Sequence, residues 1–203
     1  MPLTKKQLQL RASKIKLLLT DVDGVLTDGR IFYVPLPASS RASGGEIRMV
    51  ETKCFDSRDG LGFRMAKRAG LKIGFISGRA SPAVQQRARE LNIEFLEENV
   101  LEKIPAFERV LAASGLKEEE ICYLGDDVVD LPILKRVGLA IGISSGMPVL
   151  RQHVHYWTKR SGGRGAAREA IDLILNAQGK LDGFMKYYLG EGGPSGGGVV
   201  GAG

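Results

Sequence analysis

The stretch from Leu17 to Gly29 places two carboxylates directly after an apolar run. The segment 17–20 has the length and composition of a buried strand, and it is followed by Asp21, Asp23 and Gly24. Because the glycine marks a turn, both carboxylates are expected where a buried strand opens into a loop. This is the position at which a sheet protein would carry chemistry.

Strand-like and helix-like segments alternate along most of the chain. After a strand at 15–21, the pattern predicts strands at 72–76, 93–96, 121–124, 139–143 and 156–158, and helices at 61–69, 81–91, 100–113, 131–137 and 166–177. This spacing favours a parallel sheet covered by helices on both faces. The expected fold is α/β, a Rossmann-like doubly wound parallel sheet in which ligands bind at the carboxyl ends of the strands.

Two segments stand apart from this pattern. Residues 30–34 and 46–51 read as the strands of a β-hairpin, and the tip at 35–45 is rich in Pro, Ser and Gly. The predicted organisation is one domain at 1–189 with a hairpin insertion at 30–51. The glycine-rich tail at 190–203 is expected to be disordered.

Composition excludes several classes of function. The 203 residues are 43% hydrophobic and 26% charged, which is typical of one globular domain, and no apolar run has the length of a membrane span. The net charge of +6 comes from dispersed basic residues, and only 6% of residues are aromatic, so nucleic-acid binding is not expected. The polar N-terminus and the two unpaired cysteines, Cys54 and Cys122, suggest the cytoplasm.

Other strand ends repeat the polar pattern of the first. Ser77-Gly78-Arg79 follows one predicted strand, Gly125-Asp126-Asp127 ends another, and Lys103 lies between them at the start of a helix. In a parallel sheet these groups converge on one edge. Four aspartates facing each other, Asp21, Asp23, Asp126 and Asp127, would repel one another, and a divalent cation with oxygen ligands, Mg²⁺, resolves this. Helix capping remains the simpler interpretation of Asp28 and Asp130.

The ordered set of motifs resembles a known superfamily. The sequences DVDGVLTDG (21–29), SGR (77–79), Lys103 and GDDVVD (125–130) are similar to the four motifs of the haloacid-dehalogenase-like phosphatases. With FDSRDGLG, VGLA and GGRGAARE added, residues 15–181 resemble the 3-deoxy-D-manno-octulosonate 8-phosphate phosphatases within it. The resemblance implies an Mg²⁺-dependent phosphatase of lipopolysaccharide precursor biosynthesis.

The resemblance also implies roles for the motif residues. Asp21 would be the nucleophile that forms an aspartyl-phosphate, and Asp23 the general acid and base. Ser77 and Lys103 would bind the phosphoryl oxygens, and Lys103 would restrain Asp21. The implied Mg²⁺ ligands are Asp21, the backbone carbonyl of Asp23, Asp126 and Asp127.

Substrate choice needs further residues, because the phosphoryl site is common to the superfamily. The substrate of the narrower family also carries a carboxylate, for which arginines are suitable partners. Arg79 and Arg87 are expected two turns apart on one helix. The implied substrate-binding set is Arg58, Asp59, Gly60, Gly78, Arg79, Arg87 and Lys103.

The resemblance further predicts a homotetramer. The large cap domains of this superfamily have no counterpart here, since a hairpin is all that follows Asp28 and only a helix and a strand separate Lys103 from Asp126. A site without a cap is open to water, so a neighbouring subunit would cover it. Subunit contacts are expected through the hairpin at 30–51, and Arg164 with its glycines is a candidate to reach a neighbour's site. The long tip at 35–45 departs from the family pattern.

Three alternatives stay open at this point. A phosphatase for a nine-carbon sialic-type acid 9-phosphate would share all the core motifs. A phosphoacceptor module of the receiver type would place its acceptor aspartate at a later strand, where this chain has Ser77. A non-catalytic phosphatase-like module would not need the intact pair Asp21 and Asp23.

Overall fold

The computed structural model describes residues 3–35 and 49–192. Its helices are α1 (Lys5–Ser13), α2 (Ser57–Arg68), α3 (Pro82–Glu90), α4 (Lys103–Ser114), α5 (Leu131–Leu134), α6 (Ala166–Ala177) and α7 (Leu181–Tyr188). Its strands are β1 (Leu17–Thr20), β2 (Phe32–Pro35), β3 (Met49–Thr52), β4 (Lys72–Ile76), β5 (Phe95–Glu97), β6 (Ile121–Gly125), β7 (Leu139–Gly142) and β8 (Tyr156–Trp157).

Six strands form one parallel sheet in the order β5-β4-β1-β6-β7-β8. The chain leaves β1 on one side to form β4 and β5, and then crosses to the other side to form β6, β7 and β8. The order therefore reverses beside β1, which makes the crevice at the carboxyl ends of β1 and β6 the topological switch point. The predicted doubly wound α/β fold is confirmed.

Both faces of the sheet are covered. Leu18 and the side chains in line with it pack against α1, α2, α3, α6 and α7, while Leu17 and Leu19 point the other way and pack against α4 and α5. This division follows from the alternation of side chains along a strand. Because β1 is buried on both faces, the loop that follows it starts from a rigid position.

The hairpin strands form a separate two-stranded antiparallel sheet, in which Tyr33 pairs with Glu51. Most of the expected tip, 36–45, and residues 193–203 of the expected tail lie outside the described residues. The division into a domain at 1–189 and a tail therefore stays a prediction. Within the described ranges, no helix is long and apolar enough to cross a bilayer.

Several predicted bounds were wrong. Helix α2 begins at Ser57 instead of residue 61, because the Asp56 side chain caps it by accepting from the Arg58 amide (2.8 Å). Arg79 lies before α3 and not on it, so Arg79 and Arg87 do not share a helix face. Helix α7 was not predicted at all.

Candidate active site

The switch point brings together the ends of three central strands. Asp21 follows β1, Ser77 follows β4, and Asp126 follows β6. Thr20 pairs with Phe75 on one side and with Leu124 on the other, so the three side chains start from neighbouring positions. The convergence expected from the sequence is present.

Lys103 is the centre of a buried polar cluster. Its amine donates to Asp21 Oδ1 (2.5 Å) and to Asp130 Oδ1 (2.6 Å). The Tyr123 hydroxyl donates to the same oxygen of Asp130 (2.7 Å). Burial opposes the charge of the lysine, but Asp21 and Asp130 outweigh it and raise the pKa of Lys103. A charged amine is therefore held against the carboxylate of Asp21.

Asp130 organises the other side of this cluster. Its Oδ2 accepts from the amides of Asp126 (2.9 Å) and Asp127 (3.2 Å), and the residue has no exposed surface. The interpretation of Asp130 as a simple helix cap was wrong, because its carboxylate also pairs with Lys103. Asp28, by contrast, bonds the Arg30 amide (3.1 Å) in an exposed turn, as a loop residue would.

The motif at 21–29 and the motif at 125–130 come into close contact at Gly24. This residue has φ of +98°, and a Cβ there would lie 2.0 Å from Asp126 Oδ2. Glycine is thus needed both for the left-handed turn and for the close approach of Asp126. Thr27 fixes the same loop, since its hydroxyl accepts from the amides of Gly24 (3.3 Å) and Gly29 (3.2 Å).

The charges at this crevice match a divalent cation. Burial raises the pKa of Asp21 to about 7, with Lys103 opposing the shift and Asp130 adding to it. Burial and then the charges of Asp21 and Asp130 raise the pKa of Asp126 to about 8. These two carboxyl groups resist ionisation because too little positive charge lies near them. A metal ion bound between them would supply that charge.

The donor set is the type that Mg²⁺ accepts. The described ranges contain no group of three or more His, Cys, Asp or Glu side chains arranged for a metal. Mg²⁺ keeps several waters and needs only one or two carboxylates together with substrate oxygens. Asp127 is exposed, and its Oδ1 accepts from the Val128 amide (2.6 Å), so its carboxylate caps the turn at 128–130.

Asp23 is joined to the hairpin through a lysine. The Lys53 amine pairs with Asp23 Oδ1 and with Glu51 Oε1 (2.9 Å), and Glu51 Oε2 pairs with Arg79 (2.5 Å). Ser77, two positions before Arg79, is buried and donates its hydroxyl to the Arg79 carbonyl (3.0 Å). The turn with Ser77 and Gly78 therefore lies beside the strand β3.

The other predicted substrate residues lie around the start of α2. Arg58 pairs with Asp56 (2.5 Å) and donates to the Arg164 carbonyl (3.1 Å). Arg87 lies over the Phe55 ring (5.7 Å), and Gly60 leaves room for it, since a Cβ there would lie 2.4 Å from Arg87 Nη2.

Asp59 is buried in the first turn of α2. Its Oδ1 accepts from the Arg168 amide (2.7 Å) at the start of α6, and its Oδ2 has no hydrogen-bond partner among the described residues. Burial raises its pKa to about 6. In this chain Asp59 links α2 to α6.

Two glycines before α6 pack against the loop that follows β1 in the same chain. A Cβ at Gly162 would lie 1.7 Å from the Gly24 carbonyl oxygen, and the Gly163 amide donates to the Val25 carbonyl (3.1 Å). These contacts explain why the segment is rich in glycine. They place Gly162 and Gly163 against Gly24 and Val25, while the reach of Arg164 into a neighbouring subunit's site stays a prediction.

Known proteins are similar to this chain in sequence and in fold. No protein-family model matches the chain. It is 38% identical to the 3-deoxy-D-manno-octulosonate 8-phosphate phosphatase KdsC of Yersinia pestis over 173 residues, 85% of this chain and 86% of that protein. KdsC of Escherichia coli K12 is also 38% identical, over 172 residues that make up 85% of each chain.

The chain belongs to the family of 3-deoxy-D-manno-octulosonate 8-phosphate phosphatases. A crystal structure of the Moraxella catarrhalis phosphatase, which contains magnesium, phosphate and KDO, matches it with a TM-score of 0.81 at 34% identity. The match covers 91% of this chain and 99% of that one. The resemblance to this phosphatase family is confirmed, while the roles of individual residues stay predictions.

Sequence reasoning missed three residues of the phosphatase site. Asp130 stood within the GDDVVD motif, and its spacing of four from Asp126 was the available signal. Lys53 and Tyr123 gave none, since a lysine just after a hairpin strand and a tyrosine in an apolar strand are ordinary. Their partners, Asp23 and Asp130, are known only from the fold.

Proposed function

We propose that the protein hydrolyses 3-deoxy-D-manno-octulosonate 8-phosphate to the free sugar acid and phosphate in lipopolysaccharide precursor biosynthesis. It is a phosphoric monoester hydrolase that depends on Mg²⁺. The observation that carries the proposal is the cluster of Asp21, Lys103 and Asp130 at the switch point, with Asp126 beside it. Family membership supplies the substrate.

Asp21 is the proposed nucleophile. Its carboxylate oxygen bonds to phosphorus as the bond from phosphorus to the sugar oxygen breaks, which gives an aspartyl-phosphate. Asp23 donates its proton to the departing sugar oxygen and then takes a proton from the water that attacks the aspartyl-phosphate. Phosphate leaves, and Asp21 returns to its starting form.

The neighbouring groups hold charge and position. Lys103 fixes Asp21 Oδ1 at 2.5 Å and, with Ser77, would bind phosphoryl oxygens. Asp21, Asp126 and the Asp23 carbonyl would hold Mg²⁺, with Asp127 close behind. Mg²⁺ would neutralise the charge of the phosphoryl group and of the acidic cluster.

Substrate choice is assigned to the arginines. The sugar acid carries a carboxylate that a guanidinium can bind with two parallel hydrogen bonds. Arg58, Arg79 and Arg87 are the proposed partners, and all three already pair with a carboxylate of the protein. The set of substrate residues is completed by Asp59, Gly60, Gly78 and Lys103.

Assembly and compartment are part of the proposal. A homotetramer that pairs hairpins is supported by the exposed apolar side chains of β2 and by the absence of a cap domain in the described residues. The cytoplasm is supported by Cys54 and Cys122, both free thiols.

Phosphate release from purified enzyme tests the function. We expect turnover of the octulosonate 8-phosphate with Mg²⁺, loss of turnover with chelator, and no turnover by Asp21→Asn. Comparable kcat/KM for a nine-carbon sialic-type acid 9-phosphate would overturn the substrate assignment. Equal, background-level phosphate release by wild type and by Asp21→Asn would point to a non-catalytic module.

A further inference from the structure

Strand β3 and the segment after it carry a row of paired charges to the active site. Only 1% of the Lys53 side chain is exposed, and its amine contacts Asp23 and Glu51. Glu51 in turn pairs with Arg79, at 2.5 Å. The four groups alternate in sign along the chain Asp23, Lys53, Glu51 and Arg79, so the buried amine is compensated on both sides.

The contact with Asp23 has a specific geometry. Lys53 holds Oδ1, and Oδ2 has no side-chain hydrogen bond or ion pair among the described residues. The Asp23 side chain is 24% exposed, so without this partner its carboxyl group could rotate into solvent. A general acid must instead hold its proton within hydrogen-bond reach of the leaving oxygen.

We infer that Lys53 is a positioning residue that holds the Asp23 carboxyl group in the orientation needed for proton transfer, and that Glu51 holds Lys53. This inference rests on the proposed function of Asp23 as general acid and base. Lys53 acts through Asp23 and does not touch the reacting atoms. It therefore serves the breaking of the sugar ester bond more than the binding of phosphate.

The effect of a Lys53 substitution on rate should depend on the leaving group if Lys53 positions the general acid, and should not if Lys53 is only structural. A sugar alkoxide leaves only with a proton, whereas p-nitrophenolate leaves without one. With Lys53→Met we expect single-turnover release of the sugar acid to fall about 100-fold, the scale of general acid catalysis, with KM changed less than about threefold. The p-nitrophenol burst from p-nitrophenyl phosphate should keep its rate within about threefold, since forming the aspartyl-phosphate then needs no general acid.

A double-mutant cycle tests whether Lys53 acts through Asp23. On an Asp23→Asn background, Lys53→Met should lower sugar release by less than about twofold. Glu51→Gln keeps the amine and should give the same pattern at about a tenth of the wild-type rate, which provides a second variant if Lys53→Met does not fold. Lys67→Met is the matched control, because Lys67 pairs with Glu94 (3.2 Å) in the last turn of α2, and it should behave as wild type.

Three results would overturn the inference. Equal loss of the p-nitrophenol burst and of sugar release would indicate a disordered site. A raised KM with an unchanged rate would make Lys53 a substrate contact, and a full additional loss on the Asp23→Asn background would separate Lys53 from Asp23. If the wild type gives a burst but no turnover of the octulosonate ester, the substrate proposal fails, and Lys53 is tested with another primary alkyl phosphate.

Discussion

At the scale of single residues, burial distinguishes the roles of two aspartates of the GDDVVD motif. Asp130 accepts four hydrogen bonds without any exposure, from Lys103, Tyr123 and two backbone amides. Asp127, three positions earlier, is exposed and caps a turn. Both belong to one motif, but the buried aspartate compensates Lys103, whereas the exposed one caps a turn.

Asp130→Asn is expected to weaken both stability and catalysis. It removes one of the two anions that compensate the buried Lys103, a change expected to lower the free energy of unfolding by about 3 kcal/mol. Because Asp130 also positions Lys103 and the Asp126 amide, kcat should fall about 10- to 100-fold. Urea unfolding and phosphate release measure the two effects.

The matched control for this change is Asp172→Asn, since Asp172 pairs with Arg168 at the helix surface (2.8 Å). Its stability should stay within about 0.5 kcal/mol of wild type. Equal effects of the two substitutions would contradict the role given to Asp130.

Asp59 predicts a pH dependence of stability. Burial raises its pKa from 3.8 to about 6 in the folded protein, so the native state holds more protons than the unfolded state between these values. The free energy of unfolding contributed by this group therefore falls as pH rises through that window and is constant above it, with a total of roughly 3 kcal/mol.

Asp59→Asn isolates this contribution. The difference in free energy of unfolding between the variant and wild type, measured by urea titration from pH 4.5 to 7.5, should change in favour of the variant as pH rises. A difference that is constant over this range would show that Asp59 has an ordinary pKa.

At the scale of elements, the loop that follows β1 packs against the segment before α6. Gly162 and Gly163 pack against the backbone of Gly24, Val25 and Thr27. The pair Gly162 and Gly163 is thus explained by close packing of backbone on backbone. Two elements that are far apart in sequence share one function, the placement of Asp21 and Asp23.

Gly162→Ala should therefore impair catalysis although Gly162 does not touch substrate. The new Cβ would lie 1.7 Å from the Gly24 carbonyl oxygen, so the loop must move by an ångström or more. A displacement of about 1 Å near reacting groups lowers kcat about 100-fold.

Gly179→Ala is the control for this substitution. Gly179 has φ of +66° but no heavy atom within 4 Å of the new Cβ, so only backbone strain is added. Its kcat should match wild type while its melting temperature falls. Unchanged kcat in Gly162→Ala would show that the loop does not depend on this packing.

Features that depend on the local sequence pattern could be predicted, and features that depend on tertiary contacts could not. Helix α6 has the bounds 166–177 that its apolar face predicts, and β4 has the predicted bounds 72–76. The start of α2 was missed because Gly60 and Gly62 lower helix propensity, and only the closeness of Arg87 and Arg168 shows why glycine is needed there. The link from Lys53 to Asp23 spans 30 positions, and no local pattern predicts it.

At the scale of the whole molecule, strand β2 of the hairpin is left largely uncovered by the described residues. Phe32 and Val34 point to one side and Tyr33 to the other, and each is about half exposed, at 49%, 49% and 57%. A two-stranded sheet with both faces open is marginally stable in water. The hairpin nevertheless carries Glu51 and leads directly into Lys53, so its order affects the active site.

Charges on the hairpin should therefore break the proposed assembly and lower activity. Phe32→Glu combined with Val34→Glu places two like charges on one exposed face, where pairing with a second hairpin would bury them without partners. Sedimentation is expected to show a smaller particle than the wild type, and kcat/KM for the octulosonate ester should fall at least about tenfold because the proposed assembly covers the site. Leu10→Glu, at a residue 60% exposed on α1, should change neither quantity. A double variant with the sedimentation and activity of wild type would show that the chain assembles, if at all, through another surface.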